Sequence, residues 1–188
     1  MNNQDLTAAL ETLRKGGVIL YPTDTVWGIG CDATNAEAVE RIYAIKKRPD
    51  HKSMLVLMEN PALLDRYVEE IPEVAWDLIE ITSTPLTIIY DKARNLPANL
   101  VGEDGSIGIR FTKEAFSAEL IRRFRKPVVS TSANISGEPA PSLFSGIAQE
   151  IIKAVDYVVE FRRDDTTPVK PSSIIRLGSN GRIEILRP

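Results

Sequence analysis

The 188-residue chain predicts a mixed α/β domain, with short apolar strands and amphipathic helices alternating around one sheet. Three observations carry that expectation. Brief apolar runs alternate with segments whose apolar residues recur every three to four positions. The final strand-like pair is joined by Gly178-Ser179-Asn180-Gly181, a hairpin turn that adds antiparallel pairing to whatever the crossovers make parallel. No internal repeat or low-complexity linker interrupts residues 1–188, so a single domain is expected.

The elements follow in order. Leu6, Ala9, Leu10 and Leu13 form one helical face, stopped by Gly16-Gly17. Val18–Tyr21 is short enough for a buried strand, and Pro22–Gly30 reads as a loop. Asn35 caps a second helix with Ala38, Val39, Ile42 and Ile45 on its apolar side. Its C-terminus carries Lys46, Lys47 and Arg48, which places Lys46 at an exposed helix end. Met54–Met58 reads as a strand, followed by helical segments at Pro61–Val68 and Pro72–Ile81. Strands are expected at Leu86–Tyr90 and Ile107–Phe111, separated by an irregular excursion over 91–105. A helix over Glu114–Phe124, a strand over Val128–Thr131, a helix over Ser145–Val155 and a strand over Tyr157–Phe161 come next. Ser173–Leu177 and Ile183–Leu186 complete the hairpin.

Composition narrows the functional classes. Hydrophobic content of 43% and charged content of 26% are globular values. One cysteine, Cys31, excludes an internal disulfide and a four-cysteine zinc site, and fits a small core residue in a reducing compartment. The N-terminus has no basic region followed by an apolar core, and no apolar run approaches the ~20 residues of a membrane span. A soluble cytoplasmic protein is expected. The sequence pI of 5.4 argues against binding nucleic acid through the whole surface.

Against a formal net charge of −3, the stretch from Arg41 to Lys52 holds Arg41, Lys46, Lys47, Arg48 and Lys52 with one acid, Asp50. Lys46, Arg48 and Lys52 suit phosphate neutralisation, although a solvated helix end has the same composition. Ser132-x-Asn134, then Ser136-Gly137, follows a strand as a phosphate-cradling loop or an ordinary turn would. Pro22-Thr23-Asp24-Thr25-Val26-Trp27-Gly28 could bind a small polar substrate, with Trp27 as a wall, or bond its own backbone. Ser172, Ser173 and Arg187 offer hydroxyls and a cation across the terminal hairpin. Arg122, Arg123, Arg125 and Lys126 close a helix, where cations complement its dipole. The one histidine, His51, has no nucleophile partner pattern and reads as a surface residue. Neither a P-loop nor a Gly-x-Gly-x-x-Gly fingerprint is present.

Taken in order, these segments resemble the threonylcarbamoyl-AMP synthase (YrdC-type) family from Gly16 to Pro188. The most specific parts are the Pro22-Thr23-Asp24-Thr25-x-aromatic-Gly28 loop and the set Lys46, Arg48, Ser132 and Asn134. Gly108-Ile109-Arg110, Thr131–Gly137, Ser172-Ser173 and Leu186-Arg187-Pro188 match as well. The resemblance implies a three-layer domain with a twisted mixed sheet around a basic cavity. It implies synthesis of threonylcarbamoyl-AMP and pyrophosphate from L-threonine, bicarbonate and ATP, with Mg2+ carried by the nucleotide and no dedicated metal site. It implies catalysis by Lys46, Arg48, Ser132 and Asn134, with Lys52, Ser142 and Arg187 joining them on ATP. Thr25, Trp27, Arg110 and Ser173 would hold threonine. The product serves tRNA modification, so tRNA is a candidate partner, directly or through a threonylcarbamoyl transferase complex. Trp27 where tyrosine is commoner, Leu57, and the Thr84-Pro85 approach to a strand depart from the family pattern on the amino-acid side. Two other readings are a paralogue of the same fold with a different carbamoyl or nucleotide reaction, and a non-catalytic RNA-binding protein.

Overall fold

A computed structural model describes residues 2–48 and 53–188. Nine strands form one mixed sheet, in the spatial order β7-β1-β2-β6-β3-β5-β4-β8-β9. Helix α1 (Asn3–Arg14) is capped by the Asn2 side chain and ends where Gly16 takes a φ of 76° and Gly17 N–H donates back to Thr12 O. Its buried Asp5 accepts hydrogen bonds from Tyr157 Oη and from the amides of Glu160 and Phe161, fastening the chain beyond β7 to the helix. Strand β1 (Ile19–Tyr21) pairs antiparallel with β2 (Gly28–Gly30). Helix α2 (Ala36–Ile45) is capped by Asn35, as the sequence predicts, and buries Tyr43 beside the expected Ala38, Val39 and Ile42 while Ile45 is half-exposed.

Strand β3 (Leu55–Met58) runs parallel to β5 (Ile107–Phe111) and antiparallel to β6 (Val128–Ser132). Strand β4 (Leu86–Tyr90) lies antiparallel to β5 and parallel to β8 (Ser173–Leu177), which pairs with edge strand β9 (Ile183–Arg187). Helix α4 (Ala115–Phe124) packs on α1. Beneath α3 (Val74–Ile81), Leu86, Ile88, Ile109 and Phe111 line a cavity of about 760 Å3.

Several expectations are corrected. The Pro22–Gly30 loop contains β2, a strand that glycine makes possible. A Cβ on Gly30 would lie 2.4 Å from Val129 O and 2.6 Å from Tyr21 Cε1, so only a bare backbone fits between its neighbours. Pro61–Val68 is a 3-10 turn over Pro61–Arg66, and the second helix is confined to Val74–Ile81. The helix expected over Ser145–Val155 is a 3-10 turn, Phe144–Gly146, followed by α5 (Gln149–Ala154). Strand β7 covers only Tyr157–Val158: Val159 N–H still reaches Leu20 O, but Asp5 takes the amides of Glu160 and Phe161. Among the described residues no helix is long and apolar enough to cross a membrane.

Candidate functional site

Paired residues on neighbouring strands point to the same side of a sheet, and every second residue returns to that side. The register therefore sets Leu57, Arg110, Thr87, Ile174 and Arg187 in one row across β3, β5, β4, β8 and β9. A second row on the same face is Ser130, Leu55, Gly108, Ile89 and Arg176. Ser132, Gly28 and Tyr21 continue that face through β6, β2 and β1.

At one end of this face, Lys46 is buried, 3% exposed, which corrects the exposed helix end expected from sequence. Lys47 takes a left-handed backbone (φ 49°), stopping α2 abruptly, and the Lys46 side chain turns inward. Its Nζ donates to Ser132 O at 2.5 Å and Asn134 O at 2.7 Å, and its own carbonyl accepts from Ser136 N–H. Burial, with Arg48 nearby, lowers the Lys46 pKa to about 8. Arg48 is half-buried and forms no ion pair with a described residue. Asn134 donates through Nδ2 to Ile135 O and Glu138 O, while its Oδ1 is buried with no partner. The remaining cations of the cluster are dispersed: Arg41 pairs with Asp156 and Lys47 with Glu150. Lys52 and His51 lie outside the described residues.

At the other end, Arg110 is buried among the hydroxyls of the Thr23–Thr25 loop. Its Nη2 donates to Thr25 Oγ1 at 3.1 Å and Thr23 Oγ1 at 3.5 Å, and its Nε lies 3.0 Å from Asp24 Oδ1. Burial raises the Asp24 pKa, with Arg110 pulling it back down. Arg187 donates through Nε to Ser172 O and through Nη2 to Ser172 Oγ, and Ser172 Oγ is 2.9 Å from Thr87 Oγ1. Burial, then the neighbouring Arg110, lowers the Arg187 pKa. Two guanidiniums thus share this corner with one carboxylate, leaving an excess positive charge.

The two ends meet through the backbone. Gly28 pairs with Ser132, and Ala133 N–H donates to Trp27 O, so the Thr25–Gly28 segment runs alongside the Ser132–Asn134 loop. Ser142 shares a narrow cleft with Thr25 and Trp27. Trp27 is a packed side chain rather than an open wall, 4% exposed with its ring 4.8 Å from that of Phe144.

One assigned residue falls apart from the rest. Ser173 pairs with Leu86, on the opposite sheet face from Arg110, and its neighbour Ser172 supplies the hydroxyl beside Thr87 and Arg187. Thr23, Asp24 and Ser172 lie in segments that the sequence picks out without a role for each residue, and Thr87 is a site residue that it does not single out. Thr87 was detectable as the one aliphatic hydroxyl inside an apolar strand.

The cavity of about 760 Å3 lies elsewhere, on the reverse face under α3, and borders this site at Asp24. Among the described residues no group of three or more His, Cys, Asp or Glu could hold a metal ion.

The chain resembles known proteins over nearly its whole length. The Sua5/YciO/YrdC family model, described as telomere recombination, matches residues 11–188. A threonylcarbamoyl-AMP synthase from Pseudoalteromonas translucida is 34% identical over 181 residues, 95% of either chain. The structure of P. abyssi Sua5 complexed with L-threonine superposes with a TM-score of 0.87 at 25% identity, over all of this chain and 55% of that one. E. coli YciO superposes with a TM-score of 0.84 at 27% identity, over 99% of this chain and 89% of its own.

Proposed function

The chain belongs to the Sua5/YciO/YrdC family, and we propose that it is an L-threonylcarbamoyladenylate synthase, joining L-threonine, bicarbonate and ATP into threonylcarbamoyl-AMP and pyrophosphate. The observation that carries this reading is the buried Lys46, clamped to the Ser132–Asn134 loop, beside an Arg48 and an Asn134 Oδ1 that have no side-chain partner among the described residues. The curated relatives spanned over most of their length bear the name of that enzyme.

The chemistry suits the site. The amine of threonine takes up the carbon of bicarbonate with loss of water. A carbamate oxygen then attacks the α-phosphorus of ATP, and pyrophosphate leaves with the electrons of the broken P–O bond. Two anions must approach each other, so charge neutralisation and positioning outweigh proton transfer. Lys46 and Arg48 face the phosphates, with Ser132, Asn134 and Ser142 orienting the nucleotide and Lys52 assigned there by resemblance. Arg110 and Arg187 take carboxylate and phosphate charge, with the hydroxyls of Thr25 and Ser172 beside them. Mg2+ fits as a companion of the triphosphate, since the described residues offer cations and no carboxylate cage at this face. The product would pass in the cytoplasm to enzymes that modify tRNA.

A second reading has its own observation. The likeness to YciO is as close as that to the threonine-bound Sua5, and Trp27 and Leu57 depart from the synthase pattern on the amino-acid side. Under it, ATP binds and another amine or acyl group is used.

Turnover separates the two. Purified protein with ATP, Mg2+, bicarbonate and L-threonine should release pyrophosphate and a threonylcarbamoyl adenylate identified by mass, with product lost when threonine or bicarbonate is omitted. ATP binding without that product would favour the YciO-like reading, and no ATP binding would overturn both.

A further inference from the structure

The Asp24–Arg110 contact is incomplete. Asp24 Oδ1 and Arg110 Nε are 3.0 Å apart and shielded from solvent, yet neither makes a hydrogen bond. The approach is close enough for attraction and too oblique for a shared proton. The other Asp24 oxygen has no side-chain partner among the described residues, and the residue borders the cavity under α3. On the guanidinium side, Nη2 is occupied by Thr23 and Thr25, while Nη1 has no partner among the described residues. Arg187 adds a second guanidinium whose charge is disfavoured by Arg110. The corner therefore lacks an anion for its second guanidinium, and its carboxylate, ion-paired obliquely with Arg110, lacks a side-chain hydrogen-bond donor among the described residues.

No single-signed ligand meets both needs. A free phosphate or simple carboxylate would satisfy the arginines and press against Asp24. A simple amine would do the reverse. An α-amino acid, carrying both charges on adjacent atoms, answers each.

We propose that Asp24 is a substrate-binding residue that accepts the ammonium of the amino acid whose carboxylate binds Arg110, so that this corner selects a zwitterion. The inference rests on the amino-acid-dependent reading above and names the group that gives it specificity. Burial, and to a smaller extent the neighbouring Glu114, disfavour a charged Asp24, while Arg110 and a backbone amide oppose them. A second cation would restore the carboxylate form, which is why an ammonium is the fitting occupant.

The test uses the intact protein and three ligands measured by calorimetry: L-threonine, 3-hydroxybutanoate (threonine without its ammonium) and threonine methyl ester (without its carboxylate). The wild type should bind threonine about 10- to 100-fold more tightly than either analogue, the range for a hydrogen bond between charged groups. Asp24→Asn should bring threonine down to the level of 3-hydroxybutanoate, leaving that analogue and ATP unaffected. Asp24→Glu should recover part of the preference. An Asp24→Asn protein that still prefers threonine over 3-hydroxybutanoate would overturn the assignment. So would a wild type that binds the two alike, a result that does not depend on any variant folding. If the wild type makes threonylcarbamoyl-AMP while its selectivity ignores Asp24, only this inference falls. If it binds no amino acid at all, the functional reading falls with it.

Discussion

At the residue scale, Lys46 shows how burial changes what a familiar pattern means. A Lys-x-Arg at a helix end reads as solvated surface, but here two backbone carbonyls hold the ammonium at the root of the Ser132–Asn134 loop. Its folded pKa, about 8, lies below the ordinary value of 10.5. The unfolded chain therefore binds more protons between those limits, and this residue's contribution makes stability rise with pH across that window. Nucleotide binding needs the charged form, so its dependence has the opposite sign. ATP affinity of the free protein should fall as pH rises through about 8, and Lys46→Arg should move that decline to higher pH, read by titration at fixed ionic strength. Lys46→Met should cut product formation by about 100-fold or more, the scale of losing one donor to developing charge. Its stability should change by under about 2 kcal/mol, because removing a buried charge offsets leaving two carbonyls unpaired. An active Lys46→Met protein would remove the residue from the mechanism.

At the scale of elements, period and caps account for most of what was legible in the sequence. Asn35, the Gly16-Gly17 stop and the Gly178–Gly181 turn each act through local backbone chemistry, and each stands where expected. Strand β2 was hidden because its glycines look like loop punctuation, while their purpose is close approach to Val129 and Tyr21. The short β7 was hidden for another reason: Asp5, more than 150 positions away in sequence, claims the amides that would have extended it. The choice between Ser172 and Ser173 turns on the same kind of information, since one step along a strand changes the sheet face and only the register reveals it. Gly30→Ala tests the close-approach account. The added methyl meets backbone on one side and a buried tyrosine on the other, so it should destabilise the protein by about 1–3 kcal/mol, visible as a lower midpoint in urea. Gly137→Ala, with φ 88° but open space around it, should be strained by backbone conformation alone and cost less.

At the scale of the whole molecule, the question is where the unneutralised positive charge lies. Away from the site most basic side chains are engaged: Arg122 and Arg123 with Glu119, Lys126 with Asp32, Lys92 with Glu70, and Arg176 with Asp91 and Asp104. The basic run at the end of α4, which could have been an RNA track, is mostly an intramolecular ion-pair network. Other cations without an ion pair among the described residues, such as Arg14, Arg66, Arg125 and Arg182, lie on separate elements. Lys46, Arg48, Arg110 and Arg187 instead share one face, a small target suited to one nucleotide and one amino acid. Counterion release from a long polyanion requires many free cations in a row, and a chain of formal net charge −3 with many of its surface cations paired and the rest scattered offers few. Isolated tRNA is therefore expected to bind this protein weakly, with a dissociation constant no tighter than about 10⁻⁶ M at physiological salt, the regime of non-specific contact. Excess ATP should displace what does bind, since both would compete for the same face. Filter binding across a salt series measures both quantities. Tight tRNA binding that ATP leaves untouched would show that the paired arginines rearrange into a separate RNA surface. Weak, ATP-sensitive binding would leave tRNA to the enzymes that consume the adenylate, with the basic face of this chain reserved for making it.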